Sequence, residues 1–144
     1  MNILIIHGPN LNFLGLREPE IYGSLTLRGL NAIIKKYAGS KKAKTKIFQS
    51  NHEGGIIELI AKHLAWADRL IINPAAYTHY SYAVMDAIKA SGLPAVEVHL
   101  TDIKKREPFR RLSVTGAACA KQISGLGPLS YIKAIDFCLD YGRE

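Results

Sequence analysis

The sequence predicts an α/β fold: a parallel five-stranded sheet with helices on both faces. Two observations carry that expectation. Short apolar or β-branched runs alternate regularly with segments of helical period, and the connections between most of them are brief. The right-handedness of βαβ crossovers then restricts the topology to a few doubly wound strand orders.

The first strand is expected over Asn2–His7, because Ile3-Leu4-Ile5-Ile6 form a continuous apolar run of the kind buried on both faces. A Pro/Gly-punctuated loop follows, from Gly8 to Gly23, before the first helix over Thr26–Ala38. The second strand is Thr45–Ser50 and the second helix Gly54–Ala67, where Ile56, Ile57, Ile60, Leu64 and Ala67 make one apolar stripe. A third strand, Arg69–Asn73, leads to a helix over Ser81–Ser91, which Gly92-Leu93-Pro94 stops. Ala95–His99 is the fourth strand, Ala118–Ser124 the fifth, and Pro128–Asp140 the last helix. Five such units favour the flavodoxin-like order 2-1-3-4-5 in a single domain spanning 1–144, without internal repeats or a linker.

The formal net charge of +7 favours an anionic ligand. Nucleic acid is not expected, because the densest basic run, Lys41-Lys42-Ala43-Lys44-Thr45-Lys46, has no interleaved aromatics and reads as a solvated connecting loop. No apolar segment is long enough to span a bilayer, and Met1-Asn2-Ile3 lacks the basic start of a signal peptide. Cys119 and Cys138 match no metal or redox spacing and read as reduced thiols of a cytoplasmic protein. The five His and two Cys form no metal-ligand cluster, so no metal or other cofactor is expected. Gly8-Pro9-Asn10 opens a long loop rather than a helix, so neither the dinucleotide nor the P-loop pattern fits. Gly125 and Gly127 mark a turn, and Ser81 and Ser113 lack the context of a nucleophile elbow.

Ligands of doubly wound sheets bind beyond the carboxyl ends of the strands, at the switch point. Strand 1 delivers Asn10, Arg17 and Tyr22 there; strand 3, ending at Asn73, delivers Tyr77, Thr78 and His79; strand 4 delivers Thr101, Arg106 and Arg110. In the order 2-1-3-4-5 these strands are neighbours, so the groups converge. Glu97 and His99, two apart on one strand, share a face. The carboxylate can fix the imidazole tautomer and leave the other ring nitrogen for proton transfer. The Gly8–Gly23 loop is longer than a connection requires and reads as active-site wall with a lid at about 16–24.

Three blocks in order resemble the type II 3-dehydroquinate dehydratase (type II dehydroquinase) family across about Asn2 to Asp140. They are Gly8-Pro9-Asn10-Leu11-Asn12-Phe13-Leu14-Gly15 with Arg17-Glu18-Pro19 and Tyr22-Gly23; Asn73-Pro74-Ala75-Ala76-Tyr77-Thr78-His79; and Glu97-Val98-His99 with Arg106, Phe109, Arg110 and Arg111. The resemblance implies anti elimination of water from 3-dehydroquinate through an enolate, without metal or covalent intermediate. It implies Tyr22 as the base, Arg17 as the guanidinium that favours its phenolate, Asn10 as the group stabilising the enolate oxygen through water, and His99, oriented by Glu97, as the acid. It further implies substrate contacts from Asn73, His79, Asp86 and Arg110 and from the backbone around Leu100 and Thr101. Asp86 would act from a neighbouring subunit of trimers grouped into dodecamers.

Outside that set, Arg106 and Arg111 read as a solvated face or an oligomer contact, and His7, His52 and His63 as structural or solvent-facing. Tyr77, Tyr80 and Tyr82 read as packing residues. The chain departs from the family pattern at Leu112, in the stretch Val114–Gln122, and at Ser130. Two other functions suit the fold class. A receiver would need an acidic cluster after strand 1 and an acceptor Asp after strand 3, where Gly8-Pro9-Asn10 and Asn73-Pro74 stand; a flavin-binding module would carry a yellow cofactor. An oligomer that has lost activity is a further alternative, which the complete set Asn10, Arg17, Tyr22, Glu97 and His99 argues against.

Overall fold

The computed structural model describes residues 1–16 and 18–143, with the side chains of all of them but residues 21 and 22. The elements run β1 (Asn2–His7), α1 (Pro19–Tyr22), α2 (Leu27–Ser40), β2 (Lys44–Gln49), α3 (Glu53–His63), β3 (Arg69–Asn73), α4 (Tyr82–Ser91), β4 (Ala95–His99), β5 (Lys121–Ser124) and α5 (Leu129–Asp140). The strands form one sheet of order β2-β1-β3-β4-β5, with each neighbouring pair parallel. The order read from the sequence therefore holds, as do the bounds of β1, β3 and β4.

Alternation along the strands feeds two cores. Ile3, Ile5, Ile71, Val96 and Val98 pack against Leu30 and Ile34 of α2 and Tyr131 and Ile135 of α5. Leu4, Ile6, Leu70, Ile72 and Ala95 pack against Ile56 and Ile60 of α3 and Val84 and Ile88 of α4. Each fully buried Ile or Leu contributes about 1.5–3 kcal/mol, so both faces hold the sheet firmly. Local chemistry sets the helix ends. The Thr26 and Ser81 hydroxyls accept from the Gly29 and Val84 amides, at 3.0 Å each, while Gly92 (φ 67°) closes α4.

Four elements differ from expectation, the first being the short helix α1, which lies inside the expected Gly8–Gly23 loop. The lysine-rich run is only half loop: Lys44 to Lys46 belong to β2, the edge strand, whose charges discourage pairing with another chain. Lys46 sets its ammonium 4.5 Å from the Trp66 ring centroid. The second helix stops at His63, where a turn begins, rather than continuing to Ala67. Strand β5 starts only at Lys121, because Thr115–Ala118 wind into a 3-10 helix that serves the site described next.

At the Ser130 position the buried hydroxyl accepts from the Leu126 amide at 3.2 Å and so ties down the turn before α5. His63 is buried with Nδ1 2.9 Å from the Leu59 carbonyl, as a structural histidine should be. Tyr77 is half-buried, its hydroxyl donating to Asn51 O at 3.0 Å, whereas Tyr80 and Tyr82 are largely exposed and pack little within this chain.

Candidate active site

The carboxyl ends of β1, β3 and β4 open into one cleft of about 200 Å³. It is lined by Asn10 from the β1 loop, Asn73 and His79 from the β3 end, and His99, Leu100, Thr101, Arg106 and Arg110 from β4 and the segment after it. Leu11, Leu14 and Ile103 make its apolar wall.

The floor depends on close backbone approach. Gly8 donates to the Asn73 carbonyl at 2.7 Å, and a Cβ on Gly8 would lie 2.5 Å from Pro74 O. Asn10 follows in the left-handed region (φ 67°), which Asn tolerates better than most residues. Its amide donates to Asn51 Oδ1 at 3.0 Å, and Gln49 Nε2 holds the same oxygen at 2.9 Å. Three neighbouring strand ends thus fix one Asn.

The Glu97–His99 pair is buried and fully engaged. His99 Nε2 lies 2.7 Å from Glu97 Oε1, and Glu97 is completely buried. Ser113 donates to the same oxygen at 2.7 Å and Thr115 to Oε2 at 2.5 Å. Burial pushes the Glu97 carboxyl up, but the hydrogen bond and charge of His99 and the hydroxyls of Thr115 and Ser113 outweigh it, leaving the group below the usual carboxylate range. Glu97 is therefore ionised at neutral pH and holds the His99 proton on Nε2, leaving Nδ1 as the other nitrogen of a ring that lines the cleft.

His79 is oriented in the same way from a different partner. Its Nδ1 donates to the Leu112 carbonyl at 2.7 Å, which leaves Nε2 for a ligand. Asn73, almost wholly buried, accepts from the Ala75 amide on Oδ1 at 3.1 Å. Arg106 contacts Thr101 Oγ1 at 3.4 Å, and Arg106 and Arg110 flank Glu107 Oε2 at 3.7 and 3.2 Å. Two guanidinium groups on one side of the cleft suit an anion.

Of the residues expected from the sequence, Asn10, Asn73, His79, His99, Leu100, Thr101 and Arg110 line one cleft, with Glu97 directly behind His99. Arg17 and the side chain of Tyr22 lie outside the described residues. Asp86 is exposed on α4 and does not line the cleft of this chain. Arg106, expected to arrive at the strand ends but given no role beyond a solvated face or an oligomer contact, lines the cleft, where the 3-10 turn Ile103–Lys105 follows the β4 end. Ser113 and Thr115 were not expected to take part; isolated hydroxyls in a loop give no sequence signal that they face a carboxylate.

The fold and cleft define a class: a flavodoxin-like α/β chain with a buried carboxylate–imidazole pair at its switch point. The family model for class II dehydroquinase matches residues 1–139. The chain is 50% identical over 139 residues to a 3-dehydroquinate dehydratase of Clostridium botulinum, covering 96% of this chain and 95% of that one. Against the 3-dehydroquinate dehydratase of Caldicellulosiruptor saccharolyticus the identity is 55% over 134 residues, covering 92% of each. The crystal structure of a type II dehydroquinase from Butyrivibrio crossotus superposes with a TM-score of 0.95 at 46% identity, covering 96% of this chain and 97% of that one. The chain belongs to the type II dehydroquinase family.

Proposed function

We propose that this cleft converts 3-dehydroquinate to 3-dehydroshikimate with a division of labour among the residues expected from the sequence. The reaction itself is the family's: a hydro-lyase eliminates water, anti, through an enolate, on the shikimate route to aromatic amino acids or in quinate use. Tyr22 removes the proton next to the ketone. A free phenol ionises near pH 10, so the base needs a neighbouring cation, and Arg17 supplies it. Each tenfold gain in phenolate is worth about 1.4 kcal/mol. Asn10, through a water, stabilises the enolate oxygen. His99 protonates the departing hydroxyl, with Glu97 holding the ring and favouring its charged form.

The buried Glu97–His99 pair with its two supporting hydroxyls is the observation that carries this reading. Asn73, His79 and Arg110 hold the ring hydroxyls, and the backbone at Leu100 and Thr101 takes the carboxylate beside the Arg106 guanidinium. Residues 16–24 close over the substrate as a lid. Asp86 reaches the site of a neighbouring subunit in trimers that assemble into dodecamers. Its exposure, and the absence of an acidic side chain from the cleft lining among the described residues, fit that arrangement. The two free thiols suit a cytoplasmic protein.

The test is to add 3-dehydroquinate to purified protein, with and without a chelator, and follow the conjugated enone by ultraviolet absorbance. Turnover insensitive to the chelator is expected. No turnover from a folded oligomer would overturn the reading and favour a binding role on the same fold. Sedimentation velocity reads the assembly; a monomer at catalytic concentrations would remove the shared site.

A further inference from the structure

The anchorage of Asn10 comes from outside the cleft. Asn51, just past the end of β2, is exposed and does not line it. Its Oδ1 nevertheless has both acceptor positions filled, by the Asn10 amide at 3.0 Å and by Gln49 Nε2 at 2.9 Å. Gln49 Nε2 also donates to the Gly8 carbonyl at 3.1 Å, so Gln49 and Asn51 stitch the turn on both sides of Pro9. The Asn10 carbonyl accepts from the Phe13 amide at 3.0 Å, and both backbone groups of Asn10 are thus engaged.

The clamp has one orientation. Turning the Asn51 amide over would set N–H against N–H at both Asn10 and Gln49. Asn51 is itself firmly seated. The adjacent Ser50 amide donates to the His7 carbonyl at 2.9 Å, and Ser50 Oγ accepts from the His52 amide at 3.1 Å. A Cβ on Gly55 would lie 2.5 Å from that hydroxyl, so α3 closes in behind the turn. On its other side the Asn51 carbonyl accepts from the Tyr77 hydroxyl at 3.0 Å, and Tyr77 stands in the 3-10 turn Ala75–His79. Asn10 needs such a clamp, because its φ of 67° is a conformation that residues other than glycine keep only where their surroundings hold them.

We propose that Asn51 is a positioning residue for the reaction, its side-chain oxygen pinning the Asn10 backbone in the left-handed conformation that keeps Asn10 in the cleft wall. This rests on Asn10 stabilising the enolate, as proposed above. Loss of the clamp costs the reacting step more than affinity, because the enolate charge develops only after the substrate is bound.

Kinetics and hydrogen exchange form the test. Steady-state rates on 3-dehydroquinate are compared for the wild type, Asn51→Ala, Asn10→Ala and the double variant. Asn51→Ala is expected to lower kcat about three- to tenfold, the worth of one ordinary hydrogen bond, with KM changed less than about twofold. In the Asn10→Ala background it should lower kcat less than about twofold further. A loss confined to KM, or full multiplication of the two effects, overturns the proposal. Hydrogen exchange of the peptide spanning residues 8–14, followed by mass spectrometry on the protein without substrate, reads the clamp independently of turnover. Exchange is expected to quicken at least about fivefold in Asn51→Ala and to keep the wild-type rate in Asn51→Asp, whose carboxylate still accepts both bonds. Equal rates in all three proteins, or Asn51→Asp as fast as Asn51→Ala, overturn the proposal. The position is exposed, so both variants should keep the wild-type circular dichroism spectrum. A wild type without turnover whose exchange still depends on Asn51 overturns the functional reading of the cleft. Ordinary turnover with exchange indifferent to Asn51 overturns the clamp.

Discussion

The hydroxyls of Thr78 and Thr115 stand 3.2 Å apart, joining the turn that carries His79 to the segment that braces Glu97. The same short stretch does more. Leu112 O holds His79 Nδ1, the Val114 amide donates to Thr78 O at 2.7 Å, and Ser113 and Thr115 both donate to Glu97. Both histidines of the cleft are therefore aligned from one segment, 112–115, which neither belongs to a strand nor lines the cleft.

Removing one of those donors should disturb His99 without emptying the cleft. Thr115→Val keeps the shape but leaves Glu97 Oε2 without its hydroxyl. We expect kcat to fall about tenfold, in line with a lost hydrogen bond to a charged group, with KM changed less than about twofold. A loss confined to KM would show that the hydroxyl serves binding instead.

Glu97 should also make stability depend on acid. Its folded-state pKa is depressed, so its contribution is complete above the unfolded value near 4.3 and is lost as pH falls through the folded value. Thermal unfolding of wild type and Glu97→Gln should show a constant gap from pH 8 to about pH 5, narrowing below that. A gap independent of pH down to 3 would mean that the carboxylate is not stabilised by its donors.

His7 predicts a separate window. Its pKa falls from 6.5 to about 4 on folding, so the unfolded chain binds the extra proton first. Stability is full above about pH 6.5 and declines as pH drops towards 4, by about 3 kcal/mol at most. His7→Gln should flatten that slope in denaturant titrations at pH 7, 6, 5 and 4. An equal slope in both proteins would place the titrating group elsewhere.

Tyr22→Phe should abolish turnover, by about a thousandfold or more, while the circular dichroism spectrum is unchanged. Replacing Arg17 by Ala should lower kcat more than it raises KM. Near-normal rates in the Phe variant would remove Tyr22 as the base.

Asp86→Ala should raise KM, and the variant should complement Tyr22→Phe. Mixed oligomers refolded from the two would contain some sites with both an intact Tyr22 and a neighbour's intact Asp86. Activity above that of either parent is expected; none above the parents would return Asp86 to a purely surface role.

The frame was legible because its signals are local. Ile3–Ile6 and Leu70–Asn73 show continuous burial as plainly in sequence as in the sheet. Gly92 and Pro94 punctuate α4 where the chain turns. The Glu97–His99 pair was legible for the same reason, since alternation along a strand puts both on one face. Arg106 was legible only as a group near the strand ends, because its place in the cleft lining depends on a 3-10 turn that no periodicity announces. Ser113 and Thr115 were not legible: they shorten β5 and meet a carboxylate more than a dozen residues away in sequence, a pairing that only the folded crossover creates. His7, read as structural or solvent-facing, is buried and structural, yet its bond to Tyr131 spans 124 residues and left no trace in spacing.

Gly8 carries a consequence for how this site can evolve. With no room for a side chain between β1 and the Asn73–Pro74 backbone, the seam under the cleft is closed to every other residue. The loops bearing Asn10 and Asn73 are thereby welded at their roots, so selection cannot widen the site from below. New substrate preferences would have to be written on the outer rim, among Lys104, Lys105 and Glu107 to Phe109, where exposed side chains tolerate exchange.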